Sequence, residues 1–344
     1  MNLIDLNTVA RAMVAPGKGL LAADESSGTI KKRFDAIGVD STEDSRRDYR
    51  EMLFRTVDAM TNAISGVILY DETIWQSAKD GTPLIRLIEQ SGAIPGIKVD
   101  EGTQILPGTA NETVTIGLDR LAERLAKYYK QGARFAKWRA VIAIDPAQGL
   151  PSHAAIAANA HALARYAGLC QAAQIVPIVE PEVLMDGAHD IDTCIKVTEW
   201  MLKETFQQLY FQNVALEGII LKPNMAISGK NAPTQAGVAE VAEKTIRLLK
   251  HCVPSAVPGI AFLSGGQSDE AATAHLDAMN RIGGLPWPLT FSYGRALQSA
   301  PQKAWSGKAD NIAAGQAAFA HRARMNSLAS RGQWSADLET QKAP

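Results

Sequence analysis

The sequence predicts an α/β fold in which eight parallel strands, each followed by a helix, close into a single-domain barrel. Three observations predict it. Short apolar runs of strand length recur along the chain, and eight of them can be marked. Between them lie segments with apolar residues three or four apart, the spacing of an amphipathic helix. Successive runs end roughly 30 to 45 residues apart, which suits one strand, one helix and two loops. Strands joined by helices run parallel, and eight of them close into the (β/α)8, or TIM, barrel. An open doubly wound sheet is the alternative, and the count of eight favours closure.

Residues 1–17 predict a short helix that stops at Ala15-Pro16-Gly17. The first apolar run, Lys18 to Asp24, ends on an acid, and Ser26, Ser27, Gly28 and Thr29 follow it. Tyr49, Leu53, Val57 and Met60 give residues 45–62 helical spacing. The second run, Ser65 to Asp71, also ends on an acid; residues 82–91 predict a helix stopped by Gly92. Ile94 to Asp100 is a third, short run. Residues 119–131 are amphipathic. After Gly132, Arg134 to Val141 alternates strictly, so Phe135, Lys137 and Arg139 share one face and Ala136, Trp138 and Ala140 the other. An alanine-rich helix over 152–172 precedes Gln174 to Glu182, a run ending on acids. A long helix over 190–211 leads to Glu217 to Asn224. Helices over 235–251, 268–281 and 308–328 alternate with the last two runs, Pro258 to Gly266 and Pro288 to Arg295. The barrel is assigned residues 1–329, and the polar residues 330–344 are expected to form a loose tail.

Composition narrows the function. The chain has 344 residues, of which 46% are hydrophobic and 21% charged, enough for one large core. A formal net charge of −1 gives no support to nucleic-acid or membrane-surface binding. The three cysteines, Cys170, Cys194 and Cys252, are far apart and form no CxxC pair, which fits a reducing cytoplasm. No signal peptide or membrane-length apolar run is visible. Gly17 to Ala22 matches a GxGxxA dinucleotide pattern, but it precedes its strand instead of following one. The six histidines lie away from the strand ends and form no metal-ligating cluster, so they are taken as helix-surface residues and neither metal nor cofactor is expected.

Glu217-Gly218-Ile219-Ile220-Leu221-Lys222-Pro223-Asn224 carries the chemistry. Three aliphatics end abruptly on Lys222, and Pro223 cannot continue a ladder. An isolated lysine there would simply cover the core with its stem and reach water with its amine. The other strand ends argue otherwise. Barrels of this kind carry their active groups at the carboxyl ends of the strands. Here those ends hold Asp24, Lys98, Lys137, Glu180, Lys222, Ser264 and Arg295. Cations grouped around one lysine disfavour its protonation and free an amine to act as nucleophile. Carboxylates beside it move protons, and the combination suits Schiff-base chemistry on a carbonyl compound. Ser264-Gly265-Gly266, between a strand and a helix, suits an anion, with Arg295 as a clamp. Ser26, Ser27, Thr29, Lys32, Arg33 and Lys98 make a second group near the first and third strand ends. Two anion sites imply a bisphosphate or a two-fragment substrate.

At these residues the chain resembles the class I, Schiff-base, fructose-bisphosphate aldolases. The matching stretches are Leu21 to Gly28 (LAADESSG), Gly96 to Asp100 (GIKVD), Ala136 to Arg139 (AKWR), Val179 to Glu182 (VEPE), Leu221 to Met225 (LKPNM), Phe262 to Ser268 (FLSGGQS) and Tyr293 to Gln298 (YGRALQ). The resemblance implies that Lys222 forms the iminium, that Glu180 is its acid and base, and that Asp24 takes the hydroxyl proton as the carbon–carbon bond breaks. It implies that Lys137 supports charge near that centre and that Glu182 orients the lysines. Ser264, Gly265, Gly294 and Arg295 match one phosphate site. Ser26, Thr29, Lys32, Arg33, Lys98 and Arg139 match groups at or near the other. The implied substrates are a sugar bisphosphate and triose phosphates, and a homotetramer is the family expectation. A related aldolase for another sugar phosphate, or a silent scaffold of the same fold, are the alternatives. One departure stands out: many eukaryotic members end in a tyrosine, whereas no tyrosine follows Tyr293 here.

Overall fold

The structure, a computed structural model, describes residues 1–340. Ten strands occur in it: β1 (Gly19–Ala23), β2 (Ile64–Leu69), β3 (Ile94–Lys98), β4 (Thr103–Ile105), β5 (Thr113–Thr115), β6 (Phe135–Ile142), β7 (Val176–Val183), β8 (Ile220–Leu221), β9 (Ile260–Phe262) and β10 (Leu289–Tyr293). β1, β2, β3, β6, β7, β8, β9 and β10 pair in that order and close into a barrel, while β4 and β5 form a separate antiparallel pair. Every pairing within the barrel is parallel. The eight predicted runs thus fall on the eight barrel strands.

Alternation along the strands sorts the barrel interior into an apolar floor and an ionic rim. Leu20, Ala22, Ile68, Phe135, Val176, Ile178, Ile220 and Ala261 make one buried cluster with Leu6, Ala10 and Met13 of the helix Leu3–Met13, which seals that end. Fully burying a side chain the size of Leu6 or Met13 contributes about 1.5–3 kcal/mol. Two residues further along β1 lies Asp24; beyond Phe135 come Lys137 and Arg139; beyond Ile178 come Glu180 and Glu182; beyond Ile220 comes Lys222. The same face of each strand therefore changes from aliphatic to charged as it nears its carboxyl end. Phe135 occupies the middle of the barrel because Gly96 leaves room for it: a Cβ at Gly96 would lie 2.2 Å from the ring. The opposite face of β6 packs outward, where Trp138 stacks on Tyr166 of the helix His153–Ala172 at 5.5 Å.

Several elements differ from expectation. Residues 45–62 form two helices, Glu43–Phe54 and Val57–Asn62. Thr56 separates them, and its hydroxyl donates to the Met52 carbonyl at 3.0 Å, satisfying a group the first helix leaves open. The helix Arg295–Trp305 was not expected; it carries Pro301 inside it. The short helix Asp71–Trp75 and the β4–β5 pair are too brief to show a period. His189 and His275 are buried instead of lying on helix surfaces. His275 bonds Gln267 at 2.6 Å, and burial pushes it down to about 4.

Residues 330–340, expected to be loose, fold back on the barrel's outer helices. The Trp334 backbone N–H donates to Asp277 at 2.8 Å, and its indole donates to Glu339 at 2.9 Å. Glu339 in turn pairs with the buried Arg322 at 2.5 Å and with His321 at 3.0 Å. The remainder of the expected tail, residues 341–344, lies outside the described residues. Among the described residues, no helix is long and apolar enough to cross a membrane.

Candidate active site

The carboxyl ends of the strands surround a cavity of about 950 Å³. Lys222 is set by β8, a strand only two residues long. Its backbone N–H donates to Val179 O at 2.8 Å, which continues the ladder by one step before Pro223 ends it. The residue is buried, 3% exposed, so the stem-and-snorkel alternative does not hold. Pairing of β6 with β7 puts Arg139 beside Glu180 and Val141 beside Glu182. Pairing of β3 with β6 puts Lys98 beside Lys137. Register alone thus gathers two lysines, an arginine and two glutamates at the ends of three neighbouring strands.

Glu180 lies at its centre. One carboxylate oxygen is 3.3 Å from the Lys222 amine, and the other is 3.5 Å from the Lys137 amine. Lys137 also binds Asp24 at 2.8 Å. Burial works to raise Asp24, but Lys137 and Lys222 outweigh it and hold this carboxyl down to about 2. Burial likewise works against the charge on Lys137, and the Asp24 and Glu180 carboxylates outweigh that, holding the amine charged well above the ordinary lysine value. Glu182, one pleat further along, pairs with Arg139. Two acids and two amines therefore share one buried cluster, with proton acceptors beside each nitrogen.

The phosphate-suited groups flank this cluster. Ser264 and Gly265 follow β9 and line the cavity. At Gly265 a Cβ would come within 2.9 Å of Glu182 Oε1, so the backbone runs close beside that carboxylate. Gly266 has a φ of +78°, and a Cβ there would lie 2.6 Å from Met185. Gly294 and Arg295 open the helix Arg295–Trp305, and both line the cavity. Across the cavity Ser26 caps the helix Ser27–Asp35, and its hydroxyl lies 3.1 Å from that of Thr29. Arg33 lines the cavity one and a bit turns later, whereas Lys32 is exposed and does not. A neighbouring helical position points about 100° away, so the two side chains leave the helix in different directions. Lys98 is held by Asp100 at 2.7 Å.

Several site residues were missed. Glu25 and Asp100 line the cavity, the first beside Asp24 and the second two residues beyond Lys98. Tandem acids at Asp24-Glu25 were a usable signal. Asn224 was quoted only as part of a motif. Its buried amide accepts from Val183 N–H at 3.0 Å and donates to Thr198 at 3.2 Å, tying the ends of β7 and β8 together. Gln298, the last residue of the Tyr293 to Gln298 stretch, and Arg50 lie behind the wall, and Arg50 carries no local pattern that would mark it.

A buried lysine sharing a carboxylate with a second lysine, on the carboxyl rim of a β/α barrel, suits amine-nucleophile chemistry of the Schiff-base kind. Residues 5–344 match the family described as fructose-bisphosphate aldolase class-I. The chain belongs to the class I fructose-bisphosphate aldolase family and is a lyase. It is 56% identical over 335 residues to a probable fructose-bisphosphate aldolase class 1 of Xanthomonas campestris pv. campestris, covering 97% of this chain and 99% of that one. It is 53% identical to fructose-bisphosphate aldolase 1 of Toxoplasma gondii, with coverages of 94% and 89%. A solved fructose-bisphosphate aldolase from Plasmodium falciparum, in complex with TRAP and a small-molecule inhibitor, superposes with a TM-score of 0.95 at 47% identity, covering 97% and 96% of the two chains.

Proposed function

We propose that residues 1–329 work as one catalytic domain that reversibly cleaves fructose 1,6-bisphosphate to dihydroxyacetone phosphate and glyceraldehyde 3-phosphate. The carrying observation is Glu180 between two buried amines. Glu180 takes a proton from the Lys222 amine, the freed amine attacks the ketose carbonyl, and Glu180 passes that proton to the departing hydroxyl, so that water leaves and an iminium remains. Asp24 takes the proton of the hydroxyl on the carbon that becomes the aldehyde. The adjoining carbon–carbon bond breaks, its electrons pass into the iminium, and an enamine forms. Protonation and hydrolysis of the enamine then release the second triose phosphate.

A carboxylate held down to about 2 is a weak base, and the same charges resolve this. The Lys222 cation is one of the causes that depress Asp24. As the bond breaks, the iminium becomes a neutral enamine and that cation disappears. The proton affinity of Asp24 rises at the step that delivers its proton. Lys137 stays charged and Glu182 keeps Arg139 oriented. One phosphate goes to Ser264, Gly265, Gly294 and Arg295, and the other to Ser26, Thr29, Arg33 and Lys98 with Arg139 beside it.

We further propose a cytoplasmic homotetramer, which free, buried cysteines and exposed apolar residues such as Tyr210 and Phe211 support. Light scattering of the purified protein tests it, and a monomer would contradict it. Turnover tests the substrate. The specificity constant is expected to be highest for fructose 1,6-bisphosphate among ketose phosphates. A larger value for fructose 1-phosphate or sedoheptulose bisphosphate would make it a different aldolase, and a folded preparation with no cleavage would make it a scaffold.

A further inference from the structure

Behind the Ser26–Arg33 wall stand charges that the proposed steps do not use. The Glu25 side chain is 4% exposed. Its Oε1 accepts from Arg33 Nη1 at 2.5 Å and from Gln298 Nε2 at 2.7 Å. Gln298 Nε2 also donates to Ala22 O at 2.6 Å, which fixes the amide. Glu25 Oε2 has no hydrogen-bond partner. Arg50 Nη2 lies 3.7 Å from it, beyond hydrogen-bond length, and donates instead to the Glu25 carbonyl at 3.1 Å. Arg50 is 1% exposed, and its Nε and Nη1 have no partner. Glu72, the other acid nearby, is 3.9 Å from Arg50 and is already bound by Arg46 at 2.8 and 2.5 Å.

A buried guanidinium stays charged, and leaving its N–H groups unpaired is costly. A buried carboxylate with one free oxygen beside it carries the complementary cost. Both are resolved if the carboxylate changes partner. Arg33 is the partner free to leave: it is 26% exposed, lines the cavity, and its Nη2 lies 3.8 Å from where a Cβ on Gly294 would sit. Thus one tip of Arg33 is held by Glu25 and the other faces the strand end that carries Arg295. If Arg33 moved to a phosphate with nothing behind it, Glu25 would become an uncompensated buried charge and would pull Arg33 back.

We propose that Arg50 is a positioning residue for phosphate capture: it stands in reserve behind Glu25, so that Arg33 passes to the substrate phosphate while Glu25 turns its free oxygen onto Arg50. No proton moves. Before binding, the Glu25 carboxylate is bound by Arg33 while Arg50 stands 3.7 Å away; after binding, Arg50 serves Glu25 and Arg33 the phosphate. This rests on the reading of Arg33 as a phosphate ligand.

Steady-state kinetics with fructose 1,6-bisphosphate test it, with folding followed by circular dichroism. Arg50→Met is expected to raise KM about tenfold, the size of one charge-assisted hydrogen bond, with kcat little changed. Adding Glu25→Gln to it is expected to bring KM back, because nothing then retains Arg33. A KM unmoved by Arg50→Met, or a rise that Glu25→Gln does not reverse, overturns the exchange and leaves Arg50 a structural residue. Arg33→Met separates the two layers. It is expected to raise KM at least as far; if it does not, the phosphate reading fails and the exchange with it. Should Arg50→Met not fold, Arg50→Lys and Arg50→Gln are compared. KM near the parent value for the first and raised for the second is expected, and no difference between them overturns the proposal.

Discussion

Glu180 has Lys222 at 3.3 Å and Lys137 at 3.5 Å, and Lys137 has Asp24 at 2.8 Å. No member of this set has an ordinary environment, and none acts alone. Asp24 is the member whose removal separates chemistry from stability. Asp24→Asn removes the acceptor for the hydroxyl proton, and kcat is expected to fall roughly 10²- to 10⁴-fold, the usual scale of general-base catalysis. The same carboxyl is held from 3.8 down to about 2 in the folded chain. A folded-state value below the unfolded one means that the group stabilises the fold above pH 3.8, and that this contribution is lost as pH falls toward 2. The stability difference between parent and Asp24→Asn is expected to shrink by about 2 kcal/mol as the pH is lowered through that window. Urea unfolding at a series of pH values measures it, and a difference that stays constant would remove the ion pair from the account.

Single strands carry both halves of the design. In β7 Val176 and Ile178 help fill the floor, and Glu180 and Glu182 form the rim. In β6 Phe135 does the first job, and Lys137 and Arg139 the second. The floor holds the register that aligns the rim, so packing far from the cavity is expected to affect catalysis. Gly96 is the sensitive point, because a Cβ there would meet the Phe135 ring at 2.2 Å. Gly96→Ala is expected to cost about 1–3 kcal/mol by overpacking and to lower kcat with it. Adding Phe135→Leu should recover part of both losses. Denaturant midpoints and kcat of the single and double variants measure this; independent, additive effects would show that the contact does not transmit.

Across the whole molecule, period and spacing were legible. Eight apolar runs marked eight strands, and the strict alternation from Phe135 to Arg139 correctly placed two cations on the barrel's inner face. The cavity collects the strand-end residues Asp24, Lys98, Lys137, Glu180, Lys222, Ser264 and Arg295 because a parallel barrel turns all carboxyl ends one way. What was not legible depends on side-chain direction or on contacts distant in sequence. Lys32 and Arg33 are adjacent in sequence but point apart on their helix. Arg50 reaches Glu25 from another helix, and the helix Arg295–Trp305 carries Pro301 inside it. The chain end is the clearest case. Its polar composition suggested looseness, yet Glu339 neutralises the buried Arg322. Burial works to raise Glu339, and Arg322 outweighs it, so the folded-state value lies below the ordinary 4.5. Its stabilisation is present above that value and lost on acidification. Glu339→Ala is expected to destabilise the chain by about 1–3 kcal/mol at neutral pH, by leaving a buried donor unpaired. Thermal unfolding measures it, and an unchanged midpoint would mean that residues 330–340 are not held in solution.

Trapping the covalent intermediate bears most directly on Lys222 as the nucleophile. The protein is incubated with dihydroxyacetone phosphate, reduced with borohydride, digested and weighed peptide by peptide. The expected result is one stable mass increment on the peptide that carries Lys222. No adduct, or an adduct on Lys137 instead, would contradict the account.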